Sequence, residues 1–365
     1  MSKGKVIVGM SGGVDSSVAA YLLKEQGYDV LGVTMGMWQE PGEENGCGNI
    51  AAVQDASRVA KKLGIPFQVL DFQETFQTQV VAYFIDSYTK GLTPNPCIVC
   101  NRFVKWEALL QYANHVGAEY IATGHYARIA KHPQTGRYTI CASATKTKDQ
   151  TYALYRLTQE QLAKTLMPIG EYCKEEVRSI AEQMDGSIAK KGDSQDICFI
   201  PDGDYTAFLE REGKLEHNPG NFVDRSGNIL GQHKGITHYT VGQRKGLGIA
   251  FGKPMYVFGL DAEKNEVILC ENADLFSKTV YITDVNRMCV PTFTDGMRLM
   301  GKIRYSHRMA WCTVRMVGQD VLECVFDEPQ RAITPGQSLV LYDDIYVAGG
   351  GTIIGTQNPI EATMV

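Results

Sequence analysis

The chain has 365 residues, more than one hydrophobic core usually spans, so two or three domains are expected. With 44% hydrophobic residues and mixed charge it reads as a soluble globular protein, and no apolar run approaches the ~20 residues of a bilayer-crossing helix. The net charge of −5 excludes bulk attraction to nucleic acid, so any RNA site has to be a local basic patch. Met1 to Lys5 lead straight into an apolar run, leaving no room for a secretory or transit segment. The ten cysteines are therefore expected as free thiols in a reducing cytoplasm.

Val6-Ile7-Val8 reads as a strand, and Val18, Ala19, Leu22 and Leu23 recur behind it at helical spacing. Between them lies Ser11-Gly12-Gly13-Val14-Asp15-Ser16-Ser17. Glycines let backbone N–H groups approach an anion there, and the helix N-terminus adds partial positive charge. Ser16 and Ser17 are candidates to cap that terminus. A phosphate suits such a turn. A Walker-type P-loop is not supported, because Gly-x-x-x-x-Gly-Lys-Ser/Thr occurs nowhere in the chain.

Val30 to Thr34, Phe67 to Leu70 and Tyr120 to Thr123 read as further strands, and Ala52, Val53, Ala56, Val59, Ala60 and Leu63 as a helix between them. Strands alternating with helices predict an α/β fold with a doubly wound parallel sheet. Ligands then sit beyond the carboxyl ends of the strands, where Ser11 to Ser17, Met35 and Gly124-His125 would converge. Trp38 to Asn49 reads as a mobile, polar, glycine-rich loop. From about Gly220 short alternating runs dominate. Val257 to Leu260 and Glu266 to Leu269 pair across a turn at Lys264-Asn265. Leu299 to Tyr305, Cys312 to Met316, Val321 to Phe326 and Ser338 to Tyr342 have strand composition. The expected division is 1–203 catalytic, 204–279 a small central β-rich domain and 280–365 a C-terminal β-barrel domain.

Two cysteine segments carry the remaining chemistry. In Thr93-Pro94-Asn95-Pro96-Cys97-Ile98-Val99-Cys100-Asn101 two prolines stiffen a loop, and Phe103, Trp106, Leu109, Leu110 and Tyr112 then trace a helix. Cys100 thus falls near a helix N-terminus with Arg102 and Lys105 close by, which predicts a lowered thiol pKa. Cys-x-x-Cys alone fits half a zinc site, a redox pair or two structural thiols. No second pair follows at zinc-finger spacing, and no metal ligand is assigned. Cys198, in the polar segment Gly192-Asp193-Ser194-Gln195-Asp196-Ile197-Cys198-Phe199-Ile200, reads on its own as structural.

The run Ser11 to Ser17 resembles the pyrophosphate loop, Ser-Gly-Gly-x-Asp-Ser, of the ATP pyrophosphatase superfamily. This implies ATP cleavage between the α- and β-phosphates and adenylation of a substrate oxygen. Together with Thr93-Pro94-Asn95-Pro96, Ala122-Thr123-Gly124-His125-Tyr126, Lys148-Asp149-Gln150, the Cys198 segment and Thr240-Val241-Gly242-Gln243-Arg244-Lys245-Gly246-Leu247-Gly248, the whole chain resembles the bacterial tRNA-specific 2-thiouridylase family.

That resemblance implies ATP, with Mg²⁺, held by Gly9, Met10, Ser11, Gly12, Gly13, Val14, Asp15, Ser16, Met35 and Gly124. It implies tRNA contacts at Asn95, Pro96, Cys97, His125, Lys148, Asp149, Gln150, Arg304, Tyr305 and Gln337. It makes Cys198 the persulfide carrier and Cys100 the nucleophile that frees the sulfur by forming a disulfide with it, which demands Cα atoms roughly 4.4–6.8 Å apart. Some relatives carry Asp where this chain has Cys97, so Cys97 is an extra thiol beside that pair. The partners implied are the tRNAs for Lys, Glu and Gln, and a cysteine desulfurase or sulfur-relay protein as persulfide donor. The alternative is an amidating synthetase or ligase of the same superfamily, which would need neither Cys100, Cys198 nor tRNA.

Overall fold

Val6, Ile7 and Val8 are fully buried, and a strand apolar on both faces belongs in the middle of a covered parallel sheet. The computed structural model, which describes residues 2–38, 50–145, 148–189, 191, 197–213 and 218–359, places them there. Strand β1 (Lys5–Gly9) lies between β2 (Asp29–Gly36), flanked by β3 (Phe67–Asp71), and β4 (Tyr120–Ala122). A hairpin of β5 (Arg128–Lys131) and β6 (Tyr138–Cys141) follows, and β7 (Thr165–Leu166) completes the sheet in the order β3-β2-β1-β4-β7, all parallel. Helix α1 (Val14–Glu25) packs on one face with α2 (Ile50–Leu63). On the other face lie Trp106, Leu109 and Leu110.

The chain beyond residue 213 is mostly strand. Strands β8 (Gly220–Asp224), β9 (Ile229–His233), β10 (Tyr256–Asp261) and β11 (Glu266–Cys270) form a four-stranded sheet ordered β10-β11-β8-β9. The β10–β11 turn uses Asn265 in the left-handed conformation, a residue type that tolerates it. Then β12 (Phe276–Arg287), β13 (Met297–Lys302), β14 (Ala310–Met316), β15 (Leu322–Arg331), β16 (Ser338–Asp343) and β17 (Tyr346–Gly355) follow. Their order is β12-β15-β14-β13-β16-β17, and β17 pairs back onto β12, closing a barrel. No described helix is long and apolar enough to cross a membrane.

The barrel does not stand apart. β17 also pairs with β6 at Tyr346 and Cys141, so the hairpin of the first domain extends the barrel sheet. One continuous core holds Ile7, Trp106 and Tyr155 of the first domain with Met288, Val340 and Val347 of the barrel. Tyr152 Oη donates to the Ser338 carbonyl at 2.8 Å, and Asn286 Nδ2 to the Tyr155 carbonyl at 2.6 Å. Close approach depends on the glycines of β17. A Cβ at Gly350 would lie 2.4 Å from the Leu339 carbonyl oxygen and 3.0 Å from the Tyr155 ring. Gly350→Ala is therefore expected to destabilise the protein by about 1–3 kcal/mol. Urea unfolding measures this, and an unchanged midpoint would contradict the close packing described.

Candidate functional site

The loop after β1 is built to leave backbone donors open. Helix α1 starts at Val14 with Gly13 as its N-cap, and no side chain caps it. The expected serine caps do not form. Ser17 Oγ donates to the Gly13 carbonyl at 2.7 Å and Ser16 Oγ at 3.3 Å, because both residues already lie inside the first turn. The first-turn N–H groups are left for an anion. Gly12 holds φ +72°, and a Cβ there would strike the Ala52 carbonyl at 2.4 Å. Gly124 lies against the same turn, where a Cβ would sit 2.5 Å from the Ser16 nitrogen and 2.6 Å from the Asp15 carbonyl carbon. Gly9 faces the Met35 side chain. The strand ends thus bring Gly9, Met35 and Gly124 together around Ser11 to Ser16. Met10 and Val14 point into the core and offer only backbone.

Two ammonium groups at this loop carry no signal in the sequence. Lys174 donates to both carboxylate oxygens of Asp15, at 2.8 and 3.0 Å, and Tyr126 Oη donates to Asp15 at 2.8 Å. Lys191 donates to the Gly12 carbonyl at 2.9 Å and pairs with Asp55, whose carboxyl it holds below the usual range. Both lie more than 150 residues from the loop and belong to no local motif. A further ammonium, Lys105, already near Cys100 in sequence, lies within electrostatic reach of all three thiols.

Cys97 and Cys100 lie on the helix Pro96–Cys100, started by Pro96 at its first position, and this helix runs on into a π-helical stretch, Asn101–Ala108. Cys97 is exposed; Cys100 is buried, its Sγ 3.8 Å from Met37 Sδ. Cys198 is solvent-accessible, and its neighbours Phe199 and Ile200 share an apolar cluster with Val99, Cys100 and Val104. Sequence segments about a hundred residues apart therefore meet, and all three thiols are free. The lowered Cys100 pKa expected from its helix and nearby cations is not found. Burial pushes that thiol up to about 12, against the opposing pull of Lys105, and Arg102 stacks on Phe103 instead. Protein crowding also raises Cys198, again opposed by Lys105. Among the described residues no group of three or more His, Cys, Asp or Glu could hold a metal ion.

His125 joins this cluster from the loop after β4. Its Nδ1 meets Thr123 Oγ1 at 2.8 Å, and its ring packs on Trp106 at 5.3 Å. Burial, then Lys105, lower its pKa to about 3, so the imidazole is neutral at physiological pH. The other residues expected to meet tRNA surround the same mouth. Asn95 is the N-cap of the Cys97 helix and makes no capping bond. Tyr305, 47% exposed, donates to the Asp149 carbonyl at 3.2 Å and feels the charges of Lys148 and Cys97. Lys302 lies over the Tyr305 ring at 5.4 Å. Several of these groups are already engaged within the protein. Asp149 accepts from Ser143 N and Thr151 N, Gln150 Oε1 from Tyr126 N, and the Arg331 carbonyl accepts from Arg304 at 3.1 Å. Gln337 Nε2 donates to the Thr93 carbonyl at 3.0 Å, so a barrel residue clamps the Pro94 to Cys97 loop. Lys146, Gly192 to Asp196 and the loop after Trp38 lie outside the described residues.

The fold and this site define a nucleotide-binding α/β domain fused to two β modules, with a thiol cluster at its mouth. Matches to known families agree along the chain. Residues 4–202 match the tRNA methyl transferase HUP domain, 206–271 the tRNA methyl transferase PRC-barrel domain and 277–353 the aminomethyltransferase beta-barrel domain. The chain is 56% identical over 355 residues to the tRNA-specific 2-thiouridylase MnmA of Lachnoclostridium phytofermentans, covering 96% of this chain and 99% of that protein. It is 54% identical to that of Clostridioides difficile, covering 96% and 98%. It belongs to the tRNA-specific 2-thiouridylase family. Among solved structures it is similar to a 4-thiouridine synthetase–RNA complex with bound ATP, at 18% identity and a TM-score of 0.34 over 57% of this chain and 50% of that one, too slight a likeness to argue from.

The cradle predicts a simple test. Gly124→Ala is expected to weaken ATP binding by about tenfold or more, which is roughly 1.4 kcal/mol. Calorimetric titration reads this, and an unchanged affinity would remove Gly124 from the nucleotide site.

Proposed function

We propose that this chain catalyses ATP-dependent 2-thiolation of the wobble uridine, position 34, of tRNA in the cytoplasm. The observation that carries the reading is that Gly124 packs on the uncapped α1 N-terminus while its neighbour His125 lies within electrostatic reach of Lys105, the same cation that acts on Cys100 and Cys198, in a chain of this family. In this reading 1–203 is the catalytic unit, 204–279 a small central β-rich domain and 280–365 the C-terminal barrel that contacts tRNA. The tRNAs for Lys, Glu and Gln are the substrates.

The open N–H groups of Val14, Asp15 and Ser16 receive phosphate charge. Lys191 and Lys174 hold the loop, through Gly12 and Asp15, in the shape that presents them. Asp15 is a poor fit for a resident magnesium ion, since Lys174 already takes both of its oxygens. We assign magnesium no protein ligand; it enters with the nucleotide. The target base leaves its stack at Asn95, Pro96 and Cys97. Neutral His125 serves there as a hydrogen-bonding group rather than a cation. Tyr305 offers an exposed ring for an unpaired base, and Arg304 and Lys148 offer charge for phosphate.

Adenylation turns the uracil C2 oxygen into a leaving group. Sulfur reaches Cys198 as a persulfide from a desulfurase or relay protein. The Cys100 thiolate attacks the inner sulfur of Cys198–S–SH, forming the Cys100–Cys198 disulfide and releasing HS⁻. That ion attacks C2 and displaces AMP; its proton replaces the one N3 gave up on adenylation, leaving the 2-thiocarbonyl. A thiol held near 12 supplies only about one thiolate in 10⁴–10⁵ at neutral pH, so Cys100 has to be uncovered when substrates bind.

Cys100→Ser and Cys198→Ser are each expected to abolish thiolation, by more than about a hundredfold, while Cys97→Ser retains most of it. A mercury gel that retards thiolated tRNA, run with ATP, Mg²⁺ and a persulfide donor, reads the outcome. An inactive Cys97→Ser beside an active Cys100→Ser would overturn the assignment.

A further inference from the structure

Lys105 stands five residues after Cys100. In an α-helix five residues rotate a side chain by about 140° off the starting face. Lys105 would then point away from the thiols. The stretch Asn101–Ala108 is π-helical, and its wider turn, closing at i+5, returns Lys105 to within roughly 50° of the Cys100 face. Cys97 and Cys100, three apart on the preceding helix, share that face. The rotation is locked from the inside. Val104 and Trp106 are fully buried, Trp106 Nε1 donates to Thr165 Oγ1 at 2.9 Å, and Asn101 Nδ2 donates to the Ala153 carbonyl at 2.9 Å. The segment carrying Cys198 packs over the same surface through Phe199 and Ile200.

The charges around Lys105 follow from that geometry. Burial works against its ammonium, while thiolates at Cys100, Cys97 and Cys198, where they form, favour it and raise its pKa above the ordinary value. Among the described residues no carboxylate acts on it, and the remaining titratable neighbour, His125, is neutral. A half-buried ammonium with no carboxylate partner is an uncommon and costly arrangement while the thiols beside it stay protonated. It suits an exchange that carries one negative charge from the Cys100 sulfur to the released hydrosulfide, both within reach of one cation.

We propose that Lys105 is the shared counter-charge of the sulfur-transfer cysteines, a positioning residue presented to them by the π-helical turn. The proposal rests on the sulfur-transfer reading above, but its test does not require turnover. Full-length protein is alkylated with iodoacetamide between pH 6 and 10, and Cys198 labelling is followed by peptide mass mapping. In Lys105→Met the labelling midpoint is expected to move to higher pH, with the rate at pH 7.5 falling about fivefold or more. Lys105→Arg, which keeps the charge, is expected to stay within about twofold of the unmutated protein. A Met variant whose pH profile superimposes on the unmutated protein, or an Arg variant that behaves like Met, overturns the proposal. If the profiles shift as expected but no tRNA is thiolated, the electrostatic role stands and the functional reading fails.

Discussion

The union of the barrel with the nucleotide-binding domain is the constraint on which the rest depends. Strand β6 joins the barrel sheet through β17, a single core crosses the boundary, and Tyr152 and Asn286 close hydrogen bonds over it. The consequence reaches the chemistry. Pro335 accepts from Thr93 N at 2.9 Å and Gln337 donates to the Thr93 carbonyl, so barrel residues fix the loop that carries Asn95, Pro96 and Cys97. A separate barrel on a flexible linker would bind RNA without setting that loop. Here the barrel surface carrying Tyr305 and the loop carrying Cys97 are joined by direct hydrogen bonds and one core.

Electrostatics in that mouth is local rather than global. A chain of net charge −5 concentrates Lys174 and Lys191 at two points, bound to the Asp15 carboxylate and to the Gly12 carbonyl with Asp55, and sets Lys105 within electrostatic reach of the thiols. Lys174 is the buried one of the paired cations, so losing its Asp15 partner is strongly destabilising, which ties loop shape to charge balance. Burial also sets the resting chemistry. It keeps the Cys100 thiol protonated and His125 neutral at physiological pH.

Much of this was legible in the sequence. Val6 to Val8, Val30 to Thr34 and Phe67 to Leu70 are apolar runs between turn signals, and all fall in the parallel sheet. The pyrophosphate-loop residues, Met35 and Gly124 meet because parallel strands end on one side. Other features were hidden for physical reasons. The strands β5 and β6 are four residues each, and their barrel partner lies about two hundred residues away. The glycine-rich β17 lacks strand composition, yet its glycines allow the close approach. The π-helical turn shifts facing by a fraction of a turn, which apolar spacing at Trp106, Leu109 and Leu110 does not register. Proximity in sequence suggested that cations lower the Cys100 pKa; burial, invisible in sequence, reverses the sign.

The most direct test of the account is a single turnover with Cys198 loaded as a persulfide, no other sulfur source, and unmodified tRNA for Glu. The account predicts one 2-thiouridine, one AMP and one pyrophosphate per loaded protein, with a Cys100–Cys198 disulfide recovered in the peptide map. Thiolated tRNA without AMP, or a disulfide joining Cys198 to Cys97 instead, would contradict it.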